Sequence, residues 1–136
     1  MNIQEVFEQL ASIFDDDGTP CDYGCGENAV NDMIQYVKTE LAPLPYCVVE
    51  DWIWIDISVP RKVQELFMEQ GVQPSVIYAR TVVDDEIERG FPNLRTSPFV
   101  ALHRSCIFQT RNTAYILCGA GQRTVMDAKV YAMVEW

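Results

Sequence analysis

The clearest pattern along the chain is a pair of apolar runs on either side of Arg111-Asn112. Cys106-Ile-Phe-Gln-Thr110 and Thr113-Ala-Tyr-Ile-Leu-Cys118 are rich in β-branched and aromatic side chains, and Asn tolerates the left-handed backbone of a two-residue turn. With Thr110 facing Thr113, Phe108 opposes Tyr115, Ile107 opposes Ile116 and Cys106 opposes Leu117. Both faces of such a hairpin are apolar. That places it in the middle of a sheet, covered on each side, and the core is expected there.

Other periodicities predict the remaining elements. Ile3, Val6, Phe7, Leu10, Ile13 and Phe14 recur at helical steps over about residues 2 to 14, with Asn2 as cap. Val30, Met33, Ile34, Val37 and Leu41 form the apolar face of a second helix, about 27 to 41, which Pro43 and Pro45 end. Tyr46 to Ser58 alternates with period two over its second half, with Ile53, Ile55 and Ile57 on one face and Trp52, Trp54, Asp56 and Ser58 on the other. Pro60 opens a helix with Val63, Leu66 and Phe67 as its stripe, and Gly71 closes it. Pro74 to Val83 reads as the next strand, so the order strand, helix, strand predicts a right-handed crossover and a parallel pair. Asp84 to Asn93 reads as loop, Thr96 to Leu102 as extended chain, and His103-Arg104-Ser105 as the turn into the hairpin. Gly119-Ala-Gly121 is expected to release the chain from the sheet, and Thr124 to Val134 to form a helix capped by Thr124 with Asp127, rather than an edge strand over Lys129 to Trp136. The predicted fold is a single α+β domain over residues 1–136. An acidic helical part (1–45) packs its two N-terminal helices on a mixed, mostly antiparallel sheet of about five strands (46–136) with one βαβ crossover.

At 136 residues, 49% apolar and 22% charged, the chain is long enough to fold around one core without disulfides or metal. No uninterrupted apolar run reaches membrane-spanning length, and the N-terminal stretch carries Glu5 and Glu8 without a basic residue, so a cytoplasmic protein is expected. Five cysteines cannot all pair within one chain and are expected as free thiols.

Charge changes the picture most. Residues 1 to 59 hold twelve acids against one base, Lys38, whereas residues 60 to 136 hold nine bases and eight acids. Direct nucleic-acid binding is disfavoured, since it needs clustered Lys and Arg. A basic protein partner is the natural complement of this field. The expected partner-binding residues are Asp15, Asp16, Asp17, Asp22, Glu50 and Asp51, with Trp52 and Trp54 as aromatic anchors if their face is not covered as core. An EF-hand is excluded because Gly26 stands where its bidentate Glu belongs.

Chemical alternatives are weaker. Cys21, Cys25, His103 and Cys106 supply the four soft ligands of a zinc site, but 78 positions separate the two pairs. His103, the one histidine, is the only candidate base for Cys106, Ser97 or Ser105 in a small hydrolase or transferase, with no nucleophile elbow around any of them. Arg80 with Thr96-Ser97 has the look of an ADP-ribosyltransferase arrangement but lacks a downstream catalytic Glu, and Gly119-Ala-Gly-Gln-Arg123 lacks the third glycine or lysine of a phosphate loop. No cofactor is implied.

The runs Trp52-Ile-Trp-Ile-Asp-Ile-Ser-Val-Pro60, Val76-Ile-Tyr-Ala79, Arg95-Thr-Ser-Pro98 and Thr110-Arg-Asn-Thr-Ala-Tyr115 resemble a family of small uncharacterised proteins carried by bacteriophages and prophages of Gram-negative bacteria, over about residues 45 to 121. The resemblance implies a compact domain and no catalytic residue. It also implies a setting in which small accessory proteins bind host machinery. The expected function is therefore an acidic binding protein that docks on and modulates or inhibits a host protein, as a nucleic-acid mimic occludes a basic surface.

Overall fold

The computed structural model describes residues 19–133, and strand is its dominant element. In order come β1 (Thr19–Cys21), a 3-10 turn (Glu27–Ala29) running into α1 (Val30–Glu40), β2 (Tyr46–Ser58), α2 (Arg61–Glu69) and β3 (Ser75–Asp85). There follow β4 (Leu94–Arg95), β5 (Ala101–His103), β6 (Ile107–Gln109), β7 (Ala114–Leu117), β8 (Gly121–Asp127) and α3 (Ala128–Met133).

The long strand β2 is the axis of one eight-stranded sheet. One edge pairs antiparallel with β3, from Cys47↔Asp85 to Asp56↔Ser75. The other edge takes two parallel partners in succession, β7 along Tyr46–Val49 and β8 along Ile53–Ser58. Beyond β7 lie β6 and β5, and beyond β8 lies β1. The chain between β4 and β5 then bonds to both sides. Thr96 N–H donates to Ile77 O (2.9 Å), Phe99 N–H to Ser75 O (2.9 Å) and Val100 N–H to Gln109 O (2.8 Å), so the sheet curls round on itself.

This curl creates an interior. Cys47, Val49, Trp52, Trp54, Ile77, Phe108, Tyr115 and Leu117 fill it, with Phe99 and Tyr23 at its margin. Trp54 meets Phe108 edge-on at 4.9 Å and both Phe99 and Tyr23 at 5.3 Å between ring centroids, geometries that aromatic pairs favour. Outside, α1 lays Met33 and Val37 on Val48, Ile107 and Ile116. Val130 of α3 covers Ile53, Ile55, Val76 and Met126. Asp51, with φ of 53°, interrupts the alternation of β2, and so odd positions (Cys47, Val49) and even positions (Trp52, Trp54) all face inward.

The hairpin register is as the sequence predicts: Ile107↔Ile116, Phe108↔Tyr115, with Thr110 N–H donating to Thr113 O. The overall class is not. The sheet has eight strands instead of about five, and β2 and β3 run antiparallel, so no βαβ crossover joins them. The nine residues of α2 span about 13 Å, against about 43 Å for the thirteen residues of β2, and the helix delivers the chain back beside the end it left. The described residues hold one N-terminal helix, not two packed together. The other expected helix, residues 2 to 14, lies outside them. Gly119 and Ala120 interrupt a run that stays in the sheet. The last segment is a strand to Asp127, whose carboxylate then accepts the Lys129 N–H (2.8 Å) and starts a short helix.

Candidate functional site

The sheet interleaves the acidic first half of the sequence with the near-neutral second half, which carries nine of the ten Lys and Arg. Asp56, in line with Trp52 and Trp54 on β2, sits opposite Ser75 on β3 and one step from Trp54, the partner of Arg123 on β8. Its carboxylate accepts Arg123 Nε (2.7 Å) and Nη2 (3.3 Å), Ser75 Oγ (2.8 Å) and Trp54 Nε1 (3.0 Å). Arg123 also lies over the Trp54 ring, 4.8 Å from its centroid. Burial alone would raise the Asp56 pKa; the hydrogen bonds from Arg123, Ser75 and Trp54 outweigh it and hold the carboxyl below its ordinary value. Asp51 likewise meets Arg80 (3.7 Å), and Asp32 and Glu40 share the wall of a shallow cavity with Arg104.

The described members of the expected partner-binding set do not all reach the surface. Asp15, Asp16 and Asp17 lie outside the described residues. Asp22 is exposed on a cleft of about 570 Å³, whose wall also includes Thr19, Tyr23, Asp56 and Arg123. Glu50 is half-buried and Asp51, with its positive φ, is exposed on β2. Trp52 and Trp54 are 1% and 4% exposed, so the anchoring role expected of them has no surface to act through. They are covered by the curl of their own sheet.

The chemical alternatives separate too. Among the described residues no group of three or more His, Cys, Asp or Glu is placed to hold a metal ion. His103 Nε2 pairs with Gln109 Oε1 at 2.6 Å, while the Cys106 thiol is buried and pushed up to about 12, mainly by that burial. This is the reverse of an activated nucleophile. Ser97 lines a different cavity, with Phe67, Arg95 and Tyr131. Cys21 stands apart on the cleft beside Asp22.

A surface the sequence reading passed over as loop is better built. At the β3–β4 turn the Asp85 carboxylate accepts the Ile87 and Arg89 N–H groups (3.3 Å each) and contacts Arg89 Nε at 3.4 Å. Asp85 is thus spent on holding the turn. Asp84, Glu86 and Glu88 remain exposed around it. Three large apolar side chains at the same turn have about half their surface in solvent: Val83 (52%) before the acids, Ile87 (55%) among them and Phe91 (54%) after them. Tyr46 registers the local field. Its hydroxyl donates to Asp84 Oδ2 (3.0 Å), and its pKa is raised by desolvation first and then by Asp84, Glu86 and Asp85. The alternation of Val, Ile and Phe with acids was present in the sequence and could have signalled this surface, because a solvated loop has no use for three large apolar groups.

Among the described residues no helix is long and apolar enough to cross a membrane. No curated protein and no solved structure matches the chain. A family model described as "Domain of unknown function (DUF6957)" matches residues 22–133, a span that takes in β2 to β8 and all three helices, and the chain belongs to that family.

Proposed function

We propose that this domain is a docking module for a partner whose surface combines basic and apolar side chains, and that the β3–β4 turn is its contact. The observation that carries the reading is the exposure of Val83, Ile87 and Phe91 among Asp84, Glu86 and Glu88. Apolar groups held in water at one turn, beside exposed acids, suit a contact in which charge steers the encounter and apolar burial holds it. The acidic N-terminal half, including Asp22 and the stretch Asp15 to Asp17, adds to the long-range field. In the setting that the phage and prophage resemblance implies, the partner is a host cytoplasmic protein, inhibited by occlusion of its basic nucleic-acid-binding surface.

The test is a pull-down from host lysate at low and high salt with the wild type, Asp84→Asn/Glu86→Gln/Glu88→Gln, Phe91→Ser and Asp22→Asn. Proteins retained by the wild type at low salt and released at high salt are expected to be lost with the triple variant, since three exposed charges at about 0.5 kcal/mol each amount to roughly tenfold in affinity. Phe91→Ser is expected to weaken retention at both salt concentrations, whereas Asp22→Asn changes it little. Retention unaltered by the triple variant and by Phe91→Ser removes the turn from the proposal.

A further inference from the structure

Three of the five thiols come together away from the docking turn. Cys25 forms an isolated parallel bridge with Cys118: its N–H donates to Leu117 O (2.9 Å), and its carbonyl accepts the Gly119 N–H (2.8 Å). Leu117 N–H in turn donates to Cys106 O (2.8 Å), and Gly24 N–H donates to Ser105 O (3.1 Å), which ties the segment before α1 to the start of β6. All three side chains belong to the apolar cluster beneath α1. The Cys106 and Cys118 thiols lie near enough to Cys25 to favour its thiolate, against the larger opposing effect of burial. Cys106 and Cys118 are buried, and Cys25 is the partly exposed member.

We infer that Cys25, Cys106 and Cys118 form a thiol–disulfide exchange site, in which Cys25 reacts with a small-molecule disulfide and is resolved by either buried neighbour. For the bridged pair Cys25 and Cys118 the backbone spacing permits it. Paired strands lie about 4.8 Å apart, inside the Cα separation of roughly 4.4 to 6.8 Å that a disulfide spans. In the first step the Cys25 thiolate attacks one sulfur of the small disulfide, forming a mixed disulfide and expelling one thiolate. The Cys106 or Cys118 thiolate then attacks the Cys25 sulfur and expels the second. Two protein thiols have lost two protons and two electrons, and one small disulfide has become two thiols. Burial raises all three thiols above their ordinary pKa, Cys106 to about 12, so the thiolate fraction and the rate rise about tenfold per pH unit over the neutral range.

The experiment is incubation of the reduced protein with oxidised glutathione at pH 7 and pH 8, followed by alkylation in denaturant and peptide mapping without reduction. The expected product is a monomer two hydrogens lighter, cross-linked from Cys25 to Cys106 or Cys118, with Cys21 and Cys47 alkylated, and formed about ten times faster at pH 8. Cys25→Ala is expected to abolish the cross-link. Cys106→Ala and Cys118→Ala should each leave the other route open, and only their combination should stop the reaction at the mixed disulfide. Circular dichroism of each variant checks that it folds; for any that does not, the mapped cross-link of the wild type decides. A wild type that keeps glutathione on Cys25 without closing, a cross-link through Cys21 or Cys47, or an unchanged product in folded Cys25→Ala overturns the inference.

Discussion

Gly121→Ala is expected to destabilise the domain by about 3 kcal/mol, and to lower its melting temperature by roughly 10 °C, because the added methyl has nowhere to go. A Cβ at Gly121 would fall against the Trp52 indole, striking three of its ring carbons. The ring cannot yield. It is 1% exposed in the interior of the curled sheet, and its Nε1 donates to Gly119 O at 3.3 Å. Neither can β8 withdraw without losing its parallel pairing with β2, which begins at Ile53↔Gln122, one residue on. Gly26→Ala is the control, since nothing lies within 4 Å of the added carbon. Trp52→Phe removes part of the obstructing ring. Alone it should cost stability by leaving a cavity, but combined with Gly121→Ala the two losses should be less than additive. Thermal and urea unfolding of the wild type and the four variants measures this. A Gly121→Ala protein as stable as Gly26→Ala would mean that Trp52 does not occupy that position.

Local patterns were legible in the sequence where one stretch decides its own geometry. The hairpin from Cys106 to Cys118 needed only its turn and its paired apolar runs, and its register follows. The Ile53-Ile55 face and the Trp52-Trp54 face of β2 likewise separate in the structure as they do on paper. What covers Trp54 was not legible, because it depends on Phe99 and Phe108 arriving from segments some fifty positions away. Strand direction failed for the same reason. A strand, a helix and a strand in succession fit either a crossover or a return to the same end, and hydrophobic spacing does not distinguish them. Parallel pairs do occur here, but between β2 and the distant β7 and β8.

Charge was legible as a total and misleading as a map. Acids concentrated in the first 59 positions suggest one anionic face only if the two halves of the chain fold apart. Instead β2 is threaded between β3 and β8, and each brings an arginine to one of its carboxylates, Arg80 to Asp51 and Arg123 to Asp56. The acids around Ile87 have Arg89 beside them, but it is occupied with Asp85, Tyr115 and Thr113. The exposed negative surface at that turn thus lies in the half of the sequence that looked neutral.

Asp56→Ala is expected to cost about 2 to 4 kcal/mol, somewhat below the loss for a fully buried pair because the carboxylate is 29% exposed. Removing it strands the Trp54 N–H and the Ser75 hydroxyl in the interior and leaves Arg123 without the anion that fixes it over the Trp54 ring. Asp56→Asn keeps an acceptor for two of these donors and should cost about half as much. The pH dependence separates charge from packing. Because the folded state holds the Asp56 pKa below its unfolded value, its contribution is fully present above the ordinary carboxylate range and is lost as pH falls through the depressed folded value. Wild-type stability measured from pH 6 downward should therefore fall through the acid range, and Asp56→Asn should show a shallower fall from a lower starting point. Parallel curves for the two proteins would mean that the charge on Asp56 contributes nothing and that its role is that of a neutral acceptor between β2, β3 and β8.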